Sequence, residues 1–133
     1  NAESILEAFY ATREKVIMQK FIREAKGADI RAFVVDGEIV GAMKRQAKPG
    51  DFRSNLHRGG TSELITLTSQ EEETALKSVE ILGLKIAGVD MLKTNSGPVV
   101  LEVNASPGLE GIEGTTGVDI AGKIISFIEK NRK

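Results

Sequence analysis

The chain has 133 residues, 41% hydrophobic and 28% charged, which is the size and balance of one folded domain and excludes a disordered or fibrous chain. Eighteen basic side chains against nineteen acidic ones give a formal net charge of -1, so nothing in the overall balance suggests a broad nucleic-acid or membrane surface and any anion site must be local. There is no cysteine, no apolar run near the about 20 residues that span a bilayer and no signal-like amino terminus, so the chain reads as cytoplasmic.

It opens at Asn1 without a methionine and enters an amphipathic segment within a few residues, which reads as a piece of something longer. Apolar side chains at helical spacing predict a helix from Ala2 to about Arg13, and Val16 to Ile22 predicts a short strand. Asp36-Gly37 between the β-like runs Asp29–Val35 and Glu38–Arg45 predicts a hairpin. From Gln46 to Gly60 the sequence is polar, basic and glycine-containing, a loop of a length that is usually functional or disordered. Ser69 with Glu72 has the spacing of a capping box, opening a helix that continues through Ala75, Val79 and Leu82 to Gly83. A second hairpin joins Ile86–Thr94 to Pro98–Val103 through Asn95-Ser96-Gly97, and a glycine-rich stretch from Ala105 to Gly117 precedes a closing helix marked by Val118, Ile120, Ile124, Ile125 and Ile128. Hairpins with helices between them, and no βαβ repeat, imply an α+β fold with an antiparallel sheet.

The second hairpin carries the most specific chemistry. With a three-residue loop, Thr94 faces Pro98 and Asp90 falls opposite Glu102; like charges so placed are destabilising and need compensation. Asn104 lies two residues beyond Glu102 on the same face. Two carboxylates and an amide oxygen suit magnesium, which takes few protein ligands and completes its shell with water and phosphate oxygens. Acidic residues are usually solvated surface residues, but the flanking runs Ile-Ala-Gly-Val-Asp-Met-Leu and Val-Val-Leu-Glu-Val read as strands buried on both faces, where two exposed acids are out of place.

A second cluster is cationic. With a two-residue turn, Arg31 faces Ala42 and shares its face with Lys44, while Arg45 points the other way or begins the loop; a guanidinium suits phosphate, yet the pattern is equally that of a solvated strand face. The loop Arg53-Ser-Asn-Leu-His-Arg-Gly-Gly60 offers donors and close backbone approach for a cover over anionic ligands. His57, a lone loop histidine, is given no acid-base role.

In the order of these features the chain resembles the carboxyl-terminal half of ATP-grasp ligases, most closely the RimK-type glutamate ligases. The matching pieces are Val16-Ile-Met-Gln-Lys-Phe-Ile, Gly27-Ala-Asp-Ile-Arg-Ala-Phe-Val-Val-Asp-Gly, Lys44-Arg45, Phe52-Arg-Ser-Asn-Leu-His-Arg-Gly-Gly, Gly88-Val-Asp-Met-Leu and Leu101-Glu-Val-Asn-Ala-Ser-Pro-Gly. The resemblance implies that residues 1–133 are the large ATP-grasp subdomain, with an upstream lid subdomain and an amino-terminal domain lying outside them. It implies an ATP-dependent amide-forming ligase that adds L-glutamate, through an acyl phosphate, to the carboxyl terminus of a small-subunit ribosomal protein. It also implies that Asp90, Glu102 and Asn104 hold magnesium or manganese, that Lys20 and Phe21 lie along the adenine, and that Asp29 meets the ribose. Arg45 would meet the phosphates as a catalytic residue, and Arg53, Ser54 and Asn55 would cover nucleotide and substrate, with Asn55 also catalytic. Other readings in view are an ATP-grasp amino-acid ligase acting on a cofactor or carrier protein, and an inactive nucleotide-binding fragment.

Overall fold

The computed structural model describes residues 2–48 and 59–132. Helix α1 (Ala2–Ala11) is followed by an irregular segment, a 3-10 turn at Arg23–Ala25, strands β1 (Ala28–Val35), β2 (Glu38–Gln46) and β3 (Thr61–Leu64), helix α2 (Ser69–Ile81), strands β4 (Ile86–Thr94) and β5 (Gly97–Asn104), and helices α3 (Glu110–Thr116) and α4 (Ile120–Lys130). The strands form one sheet in the order β3-β2-β1-β4-β5 with every neighbouring pair antiparallel, as the hairpin pattern predicts.

The period of two along β1 sends alternate residues to opposite faces. Ile30, Ala32 and Val34 join Ala42, Leu67, Ala75, Val79, Ala87, Val89 and Met91 in a core closed by α2. Phe33 and Val35 join Met43, Ile112 and Ile120 under α3 and α4 on the other side. On that second face the odd-numbered residues run Val35, Phe33, Arg31, Asp29, so the apolar cover gives way to ionic side chains towards the start of β1. That transition marks the candidate site.

Several expectations need correcting. Val16–Ile22 is not a strand: a strand needs a hydrogen-bonding neighbour, none is paired with it among the described residues, and Ile17 is 89% exposed. The capping box sits one residue earlier than expected. Thr68 is the N-cap, its hydroxyl accepting from the Glu71 amide at 3.3 Å while the Glu71 carboxylate accepts from the Thr68 amide at 2.8 Å. Strand β5 is not buried on both faces; it forms the sheet edge, and Val99, Val100 and Leu101 are 38–40% exposed. The short strand β3 lies in a stretch to which the sequence assigns no element, and helix α3 lies within the glycine-rich stretch expected to be loop.

Both hairpins contain a bulge. The first closes through Asp36 and Gly37, both at positive φ, as a two-residue turn of this kind requires. Between Phe33 and Val34 the pairing shifts by one, so Arg31 faces Met43 and Asp29 faces Arg45. An extra residue flips every side chain beyond it. Arg45 therefore shares its face with Arg31, and Lys44 lies on the opposite one, the reverse of the expected arrangement. In the second hairpin Thr94 pairs with Gly97 rather than Pro98, closing a two-residue loop, and a bulge between Asp90 and Met91 restores Asp90 opposite Glu102. The expected pair is present, reached through a different turn and a compensating bulge.

Candidate active site

Side chains from three strands meet where the apolar cover ends. The Asp90 carboxylate is buried, with 5% of the residue exposed, and is gripped by two guanidiniums. Arg31 donates from Nε to Oδ1 and from Nη2 to Oδ2, each at 2.7 Å. Arg45 donates from Nη2 to the same Oδ2 at 2.8 Å. Arg45 is itself held by buried Asp29, with Nε to Oδ1 at 2.8 Å and Nη2 to Oδ2 at 2.5 Å. Such forked, charge-assisted bonds fix a guanidinium plane as no lysine would. Burial pulls the Arg45 pKa down, but the hydrogen bonds and charges of Asp29 and Asp90 outweigh it and the net shift is upward, so Arg45 stays charged.

These residues open onto a cleft of about 780 Å³. Its floor is the sheet, with Arg31, Arg45, Asp90 and Glu102; its wall is the segment 108–115, including Glu110, with Ser62 of β3 between them. The wall is tied to the sheet edge by a 2.7 Å hydrogen bond between the Ser62 and Thr115 hydroxyls. Helix α3 is joined to α4 by the Glu113 carboxylate, which accepts from the Ala121 amide at 2.8 Å. Gly88 is required by close approach: a Cβ there would lie 2.9 Å from Cβ of Pro107, nearer than real Cβ contacts. The missing side chain lets the turn after β5 fold back over the sheet. That turn is set by Asn104, whose Oδ1 accepts from the Ser106 amide at 2.8 Å, a local bond typical of asparagine.

Of the residues singled out from the sequence, Arg45, Asp90 and Glu102 line one cleft, and Asn104 follows Glu102 on the same strand face. Asp29 stands behind Arg45, both carboxylate oxygens engaged with it. Lys20 and Phe21 are exposed on the irregular segment before the 3-10 turn and are not among the cleft's lining residues. Arg53, Ser54, Asn55 and His57 lie outside the described residues. Sequence reasoning missed the cleft wall, because α3 was hidden in a glycine-rich stretch, and it missed the Arg31–Asp90–Arg45 contact because of the bulge.

The charge repulsion between Asp90 and Glu102 is compensated here by guanidiniums, so the need for compensation does not by itself require a metal. The donor chemistry nevertheless fits a hard cation. Glu102 is exposed to the cleft and makes no hydrogen bond or ion pair among the described residues. Among the described residues Asp90 accepts three bonds, which, of the about four lone-pair sites of a carboxylate, leaves one at Oδ1. Among the described residues no three acidic, histidine or cysteine side chains cluster as a metal site, so a cation here would rest on two carboxylates, the Asn104 amide oxygen and non-protein oxygens, a set suited to magnesium.

The class of protein follows from the fold. The ATP-grasp ligase PsnB, solved with a phosphomimetic variant of its minimal precursor, Mg and ADP, matches with a TM-score of 0.67 and 25% identity, over 86% of this chain and 35% of that one. The D-alanine–D-alanine ligase of Bacillus anthracis complexed with ATP matches with a TM-score of 0.64 over 97% of this chain and 45% of that one; at 24% identity it supports the ATP-grasp fold alone. Residues 1–128 match the RimK-like ATP-grasp domain, and the chain belongs to that family. Among curated relatives, a probable alpha-L-glutamate ligase of Azotobacter vinelandii is 58% identical over 130 residues, covering 98% of this chain and 43% of that protein. One of Thioalkalivibrio sulfidiphilus is 55% identical over 132 residues, covering 99% and 44%. The chain thus spans less than half the length of these relatives. No helix among the described residues is long and apolar enough to cross a membrane.

Proposed function

We propose that this chain is the large ATP-grasp subdomain of a ligase that joins L-glutamate to a peptide carboxylate, and that the cleft of Arg31, Arg45, Asp90 and Glu102 receives the triphosphate of ATP. The observation that carries this reading is the Asp29–Arg45–Asp90 lattice on the floor of the cleft. It holds a permanently charged guanidinium in a fixed plane beside an open carboxylate, in a chain whose relatives are probable alpha-L-glutamate ligases.

In this reading the substrate carboxylate attacks the γ-phosphorus of ATP, giving an acyl phosphate and ADP. The glutamate amine then attacks the acyl carbon, phosphate leaves with the bonding pair, and the amine gives up a proton. Phosphoryl transfer asks a protein mainly to position groups and neutralise charge. Arg45 serves the phosphates, with Asp29 as the residue that positions it; that buried pairing favours a positioning role for Asp29 over a ribose contact. Asp90, Glu102 and Asn104 would hold magnesium, which when bound offsets phosphate charge. Asn55, Arg53 and Ser54 are assigned to the cover over nucleotide and substrate, and Lys20 and Phe21 to the adenine. The PsnB structure complexed with a precursor favours a peptide acceptor, and within that class we assign the carboxyl terminus of a small-subunit ribosomal protein.

The test is ADP release from ATP and magnesium in the presence of L-glutamate and a peptide with a free carboxyl terminus. Release that requires both, with a mass gain of one or more glutamyl residues on the peptide, supports the proposal. Ligation of a different amine, or acceptance only of a cofactor carboxylate, overturns the glutamate-to-peptide assignment.

A further inference from the structure

Arg31 and Arg45 share the Asp90 carboxylate on unequal terms. Arg45 is anchored from behind by a second carboxylate, Asp29, through two bonds, and its side chain is 11% exposed. Among the described residues Arg31 has no such anchor: its two hydrogen bonds there both go to Asp90, and its side chain is 15% exposed on the lining of the cleft. Those two bonds occupy one lone pair on each oxygen of Asp90, the carboxylate that stands opposite Glu102. A divalent cation drawn towards Glu102 and Asp90 therefore meets a carboxylate already neutralised, with a fixed guanidinium on one side and a releasable one on the other.

We propose that Arg31 is an exchangeable counter-ion for Asp90. It holds the carboxylate in its ligating position while the cleft lacks a cation, and gives it up when a divalent cation binds, leaving the Arg31 guanidinium available to an anionic group in the cleft. Arg31 is a positioning residue in this scheme, and Arg45, pinned by Asp29, is the part that does not move. The consequence is ordered assembly: free magnesium competes with Arg31 for Asp90, whereas a phosphate-bearing ligand takes the displaced guanidinium and removes the competition. This inference rests on the metal-site reading above.

The test is titration of the chain with magnesium alone, without nucleotide, followed by calorimetry. Arg31→Gln, which keeps a polar side chain but removes the competing charge, is expected to bind magnesium roughly tenfold more tightly than wild type, the scale on which a charge a few ångströms away biases an ionic equilibrium. Arg31→Lys, which keeps the charge without the fork, should fall between them. Equal or weaker binding by Arg31→Gln, with binding in both proteins abolished by Glu102→Gln, overturns the exchange while leaving the metal site standing. Binding that is unaffected by Glu102→Gln, or absent from all the proteins, overturns the metal site and the exchange with it. A readout on the wild type is independent of how well the variants fold. In nitrogen-15 NMR spectra the Arg31 Nε–H signal is expected to move on magnesium addition while that of Arg45 stays; a fixed Arg31 signal at saturating magnesium contradicts the proposal.

Discussion

The two faces of the sheet are built from the same strands and have opposite characters. Facing α2, every β1 side chain is apolar, and Ala42 of β2 with Ala87, Val89 and Met91 of β4 extends the buried core. Facing α3 and α4, β1 is apolar only over Phe33 and Val35 and then presents Arg31 and Asp29, which meet Arg45 and Asp90. The first face supplies burial energy. The second spends part of its area on a buried ionic lattice, which is weak as a source of stability and strongly destabilising when half of it is removed. Sequence neighbours on β4 make the comparison sharp, because Asp90 and Met91 are both buried and point to opposite faces.

The largest expected effect comes from splitting that pair. Asp90→Ala leaves Arg31 without its partner and Arg45 with one carboxylate instead of two, and should cost about 4 kcal/mol. Met91→Ala opens a cavity on the α2 face at about 3 kcal/mol. Chemical denaturation measures both; nucleotide binding separates them, since only Asp90→Ala should lose it under conditions where both variants are folded. Equal binding by the two would remove the functional distinction between the faces.

A smaller effect is expected at the start of α2. The Glu71 carboxylate is buried and accepts from the Thr68 amide, with Lys93 Nζ at 3.1 Å. Burial pushes its pKa up, but these bonds and the Lys93 charge prevail and hold it below its ordinary value of 4.5. A carboxylate with a folded-state pKa below its unfolded one adds stability that is present above about pH 4.5 and is lost as pH falls through the depressed folded value. Glu71→Gln should therefore cost about 1 kcal/mol at neutral pH and flatten the acid limb of a stability–pH curve. An unchanged acid limb would show that the capping box carries no linkage.

The sequence made the α2 face more legible than the cleft face. The apolar runs of β1 and β4 and the helical spacing in α2 are signals repeated over many residues, and the strands and helix they predict are the ones observed. The cleft depends on single-residue events. One inserted residue in β2 moves Arg45 onto the face of Arg31, and the only local hint is Gly41 inside a strand, a common mark of a bulge. The Asp90–Glu102 pairing was reachable because the shorter turn and the β5 bulge cancel. Helix α3, Glu-Gly-Ile-Glu-Gly-Thr-Thr, carries two glycines in seven residues, which lowers helix propensity enough to hide it. Its stability comes from Ile112 in the core and the Glu113 link to α4. Strand β3 has four residues and exists only through its pairing with β2.

The central claim, that the ionic end of the cleft face is a metal–nucleotide site, is tested most directly by calorimetric titration of the chain with a non-hydrolysable ATP analogue and magnesium, alongside Glu102→Gln and a magnesium-free run. Saturable binding to the wild type, weakened at least roughly tenfold in both controls as expected for the loss of a magnesium-centred contact, is the predicted result. Binding of equal strength in all three would contradict it and place the nucleotide elsewhere.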